Sequence, residues 1–212
     1  MVKVVTFSYE DADDLRSNTF LLVDASNNAF VVDPSVDYDG VINFIDRHNI
    51  VLKGILLTHV HADHIGGVKR LINRFNIPFY VHSLDIESLT SDSLNLSRYL
   101  GHSITIDNVP EVINDGDIIQ GLSEAIYVMH TPYHTKGSVI YYLKDSRLIF
   151  SGDSLFKLMV GRSDFKNSLP RNQESSLRKI MSLDDSYKVY PGHGATTNIG
   201  EERKNNPFIK NL

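Results

Sequence analysis

The sequence contains no cysteine. Disulfides, a thiol nucleophile and every cysteine-ligated metal site are therefore excluded. No block of basic residues stands out, and the formal net charge is −5. A nucleic-acid partner normally leaves an electropositive stripe, so none is expected, and a nuclease is disfavoured. No apolar run approaches membrane-spanning length. The opening MVKVVTFSYEDADD turns acidic before an apolar core of signal-peptide length develops. No membrane partner is expected, and the cytoplasm is the default location. Hydrophobic residues make up 42% and charged residues 22% of the 212. Those are ordinary values for a globular chain, and 212 residues suffice for one large core.

Apolar runs rich in β-formers recur at Thr19–Asp24 and Asn28–Asp33, with a hairpin turn at Ser26-Asn27-Asn28. Others lie at Val51–Leu57, Phe79–His82, Ala125–Met129, Val139–Leu143, Leu148–Phe150 and Tyr187–Tyr190. Helical spacing runs from Tyr38 through Val41, Ile42, Phe44 and Ile45, and again through Ile65, Val68, Leu71, Ile72 and Phe75. A helix is expected from near Asn172, presenting Leu177, Ile180 and Met181. The serine-rich Thr90–Asp107 reads as a loop, of the kind that borders sites. Strands and helices alternate without a linker, which predicts a layered α/β fold in one domain spanning 1–212.

Four histidine or aspartate groups each follow an apolar strand: THVHADH (58–64), HTPYHT (130–135), SGDS (151–154) and PGHG (191–194). Loops at strand ends are where α/β scaffolds collect chemistry. His59 and His61 lie two residues apart and can grip one ion, with His130 expected as its third ligand. Asp63, His64 and His193 can face a second ion, and the two oxygens of Asp153 can bridge the pair. Taken singly, Asp63 could be a helix N-cap and Asp153 a turn residue; four ligand-type residues in six positions outweigh that reading. His48, His82 and His102 read as surface or packing residues. His134 reads as a brace for neighbouring ligands.

These motifs resemble the metallo-β-lactamase superfamily. HVHADH matches its HxHxDH signature, and His130, Asp153 and His193 follow in the order of its later motifs. Asp33 sits where the family often carries a buried aspartate. SGDSLF, GRSDF, VYPGHGATT and IGEERKNNPF look most like short glyoxalase II (hydroxyacylglutathione hydrolase) enzymes. The resemblance implies an αββα four-layer sandwich with two divalent ions, zinc first and iron or manganese next. It also implies a thioesterase using a metal-bridging hydroxide, with Asp63 and Asp153 orienting the water. The substrate implied is a small-molecule thioester.

Longer glyoxalase II enzymes carry a helical C-terminal domain that holds glutathione; only a short tail follows His193, so strong glutathione specificity is not expected. The family's HTPGHTPG reads HTPYHTKG here, and Tyr133 is expected to narrow the mouth or touch substrate. Arg162 is a candidate for gripping a substrate carboxylate, against a salt bridge to Asp164. Asn95, Ser97 and Arg98 could also face substrate. The alternatives are a mononuclear-iron persulfide dioxygenase, which the sequence also resembles, and a lactonase.

Overall fold

The apolar runs bury both of their faces. The computed structural model describes residues 1–8, 17–35, 39–210 and 212. Strands β1 (Lys3–Phe7), β2 (Thr19–Val23) and β3 (Asn28–Val32) pair antiparallel. β4 (Val51–Leu56), β5 (Phe79–His82) and β6 (Glu111–Ile113) extend that sheet in parallel, in the order β1 to β6. Alternate residues serve different layers: Phe20, Leu22, Phe30 and Val32 enter one core cluster, while Leu21, Ala29 and Val31 enter another. A sheet covered on both sides reads as continuous hydrophobic runs, which is how these strands appear in the sequence. The hairpin turn is held by Asp24, whose Oδ1 accepts from the Ser26 and Asn28 amides at 2.8 and 2.9 Å.

A second sheet is built from β7 (Ile118–Ile119), β8 (Ile126–His130), β9 (Val139–Leu143), β10 (Leu148–Gly152), β11 (Lys188–Pro191) and β12 (Thr197–Asn198), in the order β12 to β7. Between the sheets Phe150 lies 5.5 Å from Phe20 and 5.3 Å from Tyr190, ring centre to ring centre. Such pairs contribute ~0.5–1.5 kcal/mol each beyond their buried area. Helices α1 (Asp39–Arg47), α2 (Ala62–Ile65), α3 (Val68–Phe75) and α4 (Ile86–Leu89) belong to the first half of the chain. α1 and α3 cover the first sheet through Val41, Ile45, Val68 and Leu71. α5 (Gln173–Ile180) and α6 (Ile199–Asn205) cover the second through Leu177, Ile180 and Ile199. The result is the expected helix–sheet–sheet–helix sandwich. Among the described residues no helix is long and apolar enough to cross a membrane.

Three local readings change. The first helix begins at Asp39; Tyr38, where its spacing was expected to start, lies outside the described residues. The helix expected through Ile65 and Phe75 is two helices, because the Gly67 amide donates to the Pro34 carbonyl at 2.9 Å and starts α3 anew. Strands β1, β6, β7 and β12 were not apparent in the sequence, and each is an edge strand.

Candidate metal centre

Strands β4, β10 and β11 end on one edge of the sandwich, and the loops that follow converge with the β8–β9 turn. His59 and His61 follow β4, and Asp63 and His64 occupy the short helix α2. His61 is the residue preceding that helix and makes no side-chain cap bond, so Asp63 is not an N-cap. Asp153 follows β10, and His193 follows β11. The polar atoms of three sets approach within 4.8 Å of one another: His59, His61 and His134; His59, His64 and Asp153; Asp63, His64 and His193. The Asp153 carboxylate joins the sets. Its Oδ2 lies 3.4 Å from His134 Nε2, and its Oδ1 lies 3.4 Å from His64 Nε2 and 3.7 Å from His193 Nε2.

His134 thus stands where His130 was expected. His130 is the last residue of β8, opposite Val139 in β9. Its alternation with Ile126 and Val128 commits it to the inter-sheet face. There its ring stacks on His82 at 3.9 Å, and its Nε2 contacts the Lys136 carbonyl at 2.8 Å. His134 lies beyond the strand, in the turn, and its ring centre is 4.7 Å from those of both His59 and His61.

Each of three imidazoles is oriented by a bond on its far side. His59 Nδ1 contacts Thr58 Oγ1 at 3.2 Å, His64 Nδ1 contacts Asp33 Oδ2 at 3.0 Å, and His134 Nδ1 contacts the Arg162 carbonyl at 2.8 Å. Those partners accept the Nδ1 hydrogen and leave Nε2 as the lone-pair nitrogen facing the cluster. His59 Nε2, His61 Nε2, His64 Nε2 and Asp153 Oδ1 are buried and have no hydrogen-bond partner among the described residues. Stranding that many polar atoms is costly unless something binds them. Imidazole and carboxylate donors without thiolate accept zinc, iron or manganese. These residues therefore fit divalent metal ions.

The electrostatics agree. Burial, with His134 alongside, pushes His61 down to about 3. Burial likewise holds His59 well below, and His134 below, the usual imidazole range, so all three remain neutral, as ligands must be. His64 behaves oppositely. Burial opposes its charge, but Asp63, Asp153 and Asp33 raise it well above the usual value. Asp153 is held well below the carboxylate range by His64 and His193 despite burial. A divalent cation among the same carboxylates would compete with the His64 proton.

Two residues outside the cluster hold it together. Asp33 Oδ1 accepts from the Thr58 amide at 2.8 Å, and Oδ2 from Thr58 Oγ1 at 2.6 Å as well as from His64. Asp85, which no motif marked, accepts from Thr135 Oγ1 at 2.7 Å and the Gly137 amide at 3.0 Å, and also bonds the Val60 backbone. It ties the HVHADH loop to the turn carrying His134. It stands among Ser83, Glu87 and Ser88 in an ordinary polar stretch after β5, which gave it no sequence signal of its own.

The substrate residues are placed differently from expectation. Tyr133 is fully buried, and its hydroxyl donates to the Ser154 carbonyl; it packs among Met129, Leu155 and Leu177 and does not reach the mouth. Arg162 lines the cavity, but its guanidinium is paired bidentately with Asp164 at 2.6 and 2.7 Å. Asn95 and Ser97 are buried and bond the loop's own backbone, and Arg98 pairs with Asp92. The cluster forms the floor of a cavity of about 1060 Å³, reached by His61, Asp63, His134, Asp153 and His193.

The profile of the metallo-beta-lactamase superfamily matches residues 12–193. The chain is 32% identical over 201 residues to the probable metallo-hydrolase YqgX of Bacillus subtilis, covering 92% of this chain and 93% of that protein. It is 28% identical over 201 residues to the hydroxyacylglutathione hydrolase GloC of Haemophilus influenzae, again covering 92% and 93%. The solved structure of BLEG-1, a B3 metallo-beta-lactamase, superposes with a TM-score of 0.90 at 32% identity and covers 99% of both chains. With a profile match over most of its length, a relative above 30% identity and a shared layered fold, the chain belongs to the metallo-beta-lactamase superfamily.

Proposed function

We propose that this protein is a metal-dependent hydrolase that cleaves thioesters, using two divalent ions held by His59, His61 and His134 on one side and Asp63, His64 and His193 on the other, with Asp153 between them. The observation that carries the reading is the span of the Asp153 carboxylate, one oxygen facing His134 and the other His64 and His193. Likeness to GloC, named as a hydroxyacylglutathione hydrolase, supports the thioester as substrate.

Ions bound there would lower the pKa of water to around 7, far below its bulk value, and polarise a carbonyl. The chain's own residues supply the rest. Asp63 Oδ2, 3.1 Å from His193 Nε2, lies on the cavity floor, where it can orient a water and accept its proton. Asp153 presents a second carboxylate on the same floor, facing the same His64 and His193 nitrogens. A thiol leaving group has a pKa of about 8.5, so it departs as thiolate and needs no general acid. That agrees with a cleft where His59, His61 and His134 are held neutral.

The test is elemental analysis of the protein purified without added metal, followed by assay on S-D-lactoylglutathione. Two ions per chain and thioester cleavage are expected. One iron per chain with oxygen uptake on glutathione persulfide would instead assign a persulfide dioxygenase, against the assembly of both ligand sets.

A further inference from the structure

The cavity above the ligand cluster has two walls, and each is shaped around a leucine in the left-handed backbone region. Leu96 has φ 67° and Leu158 has φ 59°. Leucine rarely adopts that region, and such residues persist only where the surroundings over-determine them, often at sites of function.

Both are over-determined. Beside Leu96, the Asn95 side chain accepts from the Ser97 amide at 2.9 Å and donates to the Ile104 carbonyl at 2.7 Å. The Asn95 carbonyl also accepts from the Ala62 amide at 2.8 Å, fastening this wall to α2. Opposite, the Leu158 amide donates to Glu202 Oε2 at 2.9 Å, and Asn206 Nδ2 donates to the Met159 carbonyl at 3.2 Å. Glu202 is fully buried, with Thr197 Oγ1 and Asn206 Nδ2 donating to it at 2.6 and 2.7 Å. The closing segment from Ile199 thus holds the turn that forms this wall.

What these anchored turns present is mostly apolar, with Lys157 the charged exception. Leu96, Tyr99 and Leu100 face the cavity from one side, and Phe156, Met159 and Phe165 from the other. Tyr99 and Met159 remain 77% and 58% exposed at the mouth. Large apolar side chains gathered at a site mouth signal an apolar ligand. Small thiol carriers of the cell are polar and charged, and burying them against such walls would strand polar groups. A three-carbon hydroxyacyl group would leave most of the wall in water.

From these walls we infer that the site prefers a bulky, apolar acyl group, an aliphatic or aryl chain of about six carbons or more, over a small hydroxyacyl. The inference rests on the thioesterase reading for its chemistry but on the walls for its specificity. Lys157 and Lys166, which also line the cavity, suit an anionic carrier outside it.

The test uses N-acetylcysteamine thioesters of acetyl, D-lactoyl, butanoyl, hexanoyl and phenylacetyl groups with metal-loaded protein. Calorimetric binding of the uncleavable 2-oxoalkyl thioethers of the same chain lengths runs in parallel. Each methylene buried is worth up to about fourfold, so hexanoyl should exceed acetyl at least tenfold in kcat/KM, and the thioethers should rank alike in affinity. In Met159→Ser and Tyr99→Ser, both at exposed positions, the hexanoyl-to-acetyl ratio should fall severalfold. Cleavage that is flat with chain length, or best for lactoyl, overturns the inference and leaves the thioesterase reading standing. Affinity that climbs with chain length while no thioester is cleaved supports the apolar site and overturns the thioesterase reading. Affinity that is flat overturns the inference whatever the cleavage.

Discussion

His134 Nε2 lies 2.9 Å from His61 Nδ1, with the opposite nitrogen of His134 bonded to the Arg162 carbonyl at 2.8 Å. That contact is a hydrogen bond in which one nitrogen carries the hydrogen, so a cation takes its place only when His61 moves its hydrogen to Nε2 and both facing nitrogens become acceptors. His134→Ala is therefore expected to lose metal and activity by more than the 10–100-fold that removing an outer partner costs. His130→Ala is expected to retain both, and to lose its stacking on His82 and its bond to the Lys136 carbonyl, together ~1–3 kcal/mol of stability. Metal content and kcat/KM of the two variants decide the matter. Equal losses, or a larger loss at His130, would contradict the assignment.

Asp33 governs His64 by fixing its tautomer. Asp33→Asn should tolerate the backbone, since asparagine also accepts the left-handed conformation seen at φ 48°. An amide NH2 facing His64 Nδ1 would, however, force that nitrogen to accept, moving the hydrogen to Nε2 and into the ligand position. Affinity for the ion at Asp63, His64 and His193 is expected to fall about 10–100-fold. The fold should survive with a loss of ~1–3 kcal/mol from mismatched donors. Metal titration followed by calorimetry should resolve one weakened site; two unaltered sites would disprove the role.

The candidate cluster was legible because its residues crowd into short motifs at strand ends. HVHADH, SGDS and PGHG each follow a run whose core burial the pattern predicts. Ahead of HTPYHT the apolar run ends at Met129, but pairing with Val139 carries β8 one residue further, through His130. That residue still alternates into the sheet interface, and the histidine that joins His59 and His61 comes from the turn. Tyr133 was misplaced for a related reason: a tyrosine beside a ligand turn can serve the core as readily as the mouth, and only the contacts to Leu155 and Leu177 tell which. The strands without a clear sequence signal are all at sheet edges, where β6 and β7 each bury one residue and so lack an alternating apolar pattern.

Asp85 gives the cluster's support a pH signature. Burial raises its carboxyl to about 6, outweighing the opposing bonds from Thr135, Gly137 and Val60. The folded state therefore favours the protonated acid. That stability is complete below the unfolded value near 3.8, declines as pH rises through about 6, and is absent above it. The change amounts to ~3 kcal/mol, at 1.36 kcal/mol per unit. In chelator, urea denaturation of wild type and Asp85→Asn should differ by an amount that shifts by roughly this much between pH 4 and pH 7, wild type losing ground as pH rises. A pH-independent difference would show that Asp85 keeps the same charge when folded and unfolded.

Gly192 packs against the cluster so closely that its missing side chain is part of the design. A Cβ there would lie 2.3 Å from Asp153 Oδ1 and 2.8 Å from His64 Cε1. The backbone cannot retreat, because the Gly192 amide donates to the Gly152 carbonyl at 2.8 Å and its own carbonyl accepts from the Asn18 amide at 2.6 Å. Gly192→Ala should push Asp153 and His64 off their shared positions. Overpacking of this kind costs ~1–3 kcal/mol, but the larger effect is expected on metal binding, with content below one ion per chain. Gly194→Ala, two residues on, provides the contrast. Its φ of 75° makes alanine strained by ~1 kcal/mol, yet nothing lies within 4 Å of the added carbon. With that space open among the described residues, the variant should lose a few degrees of Tm and keep its metal. Full metal occupancy in Gly192→Ala would mean that Asp153 can yield without consequence, and would remove the argument that its position between the two ligand sets matters.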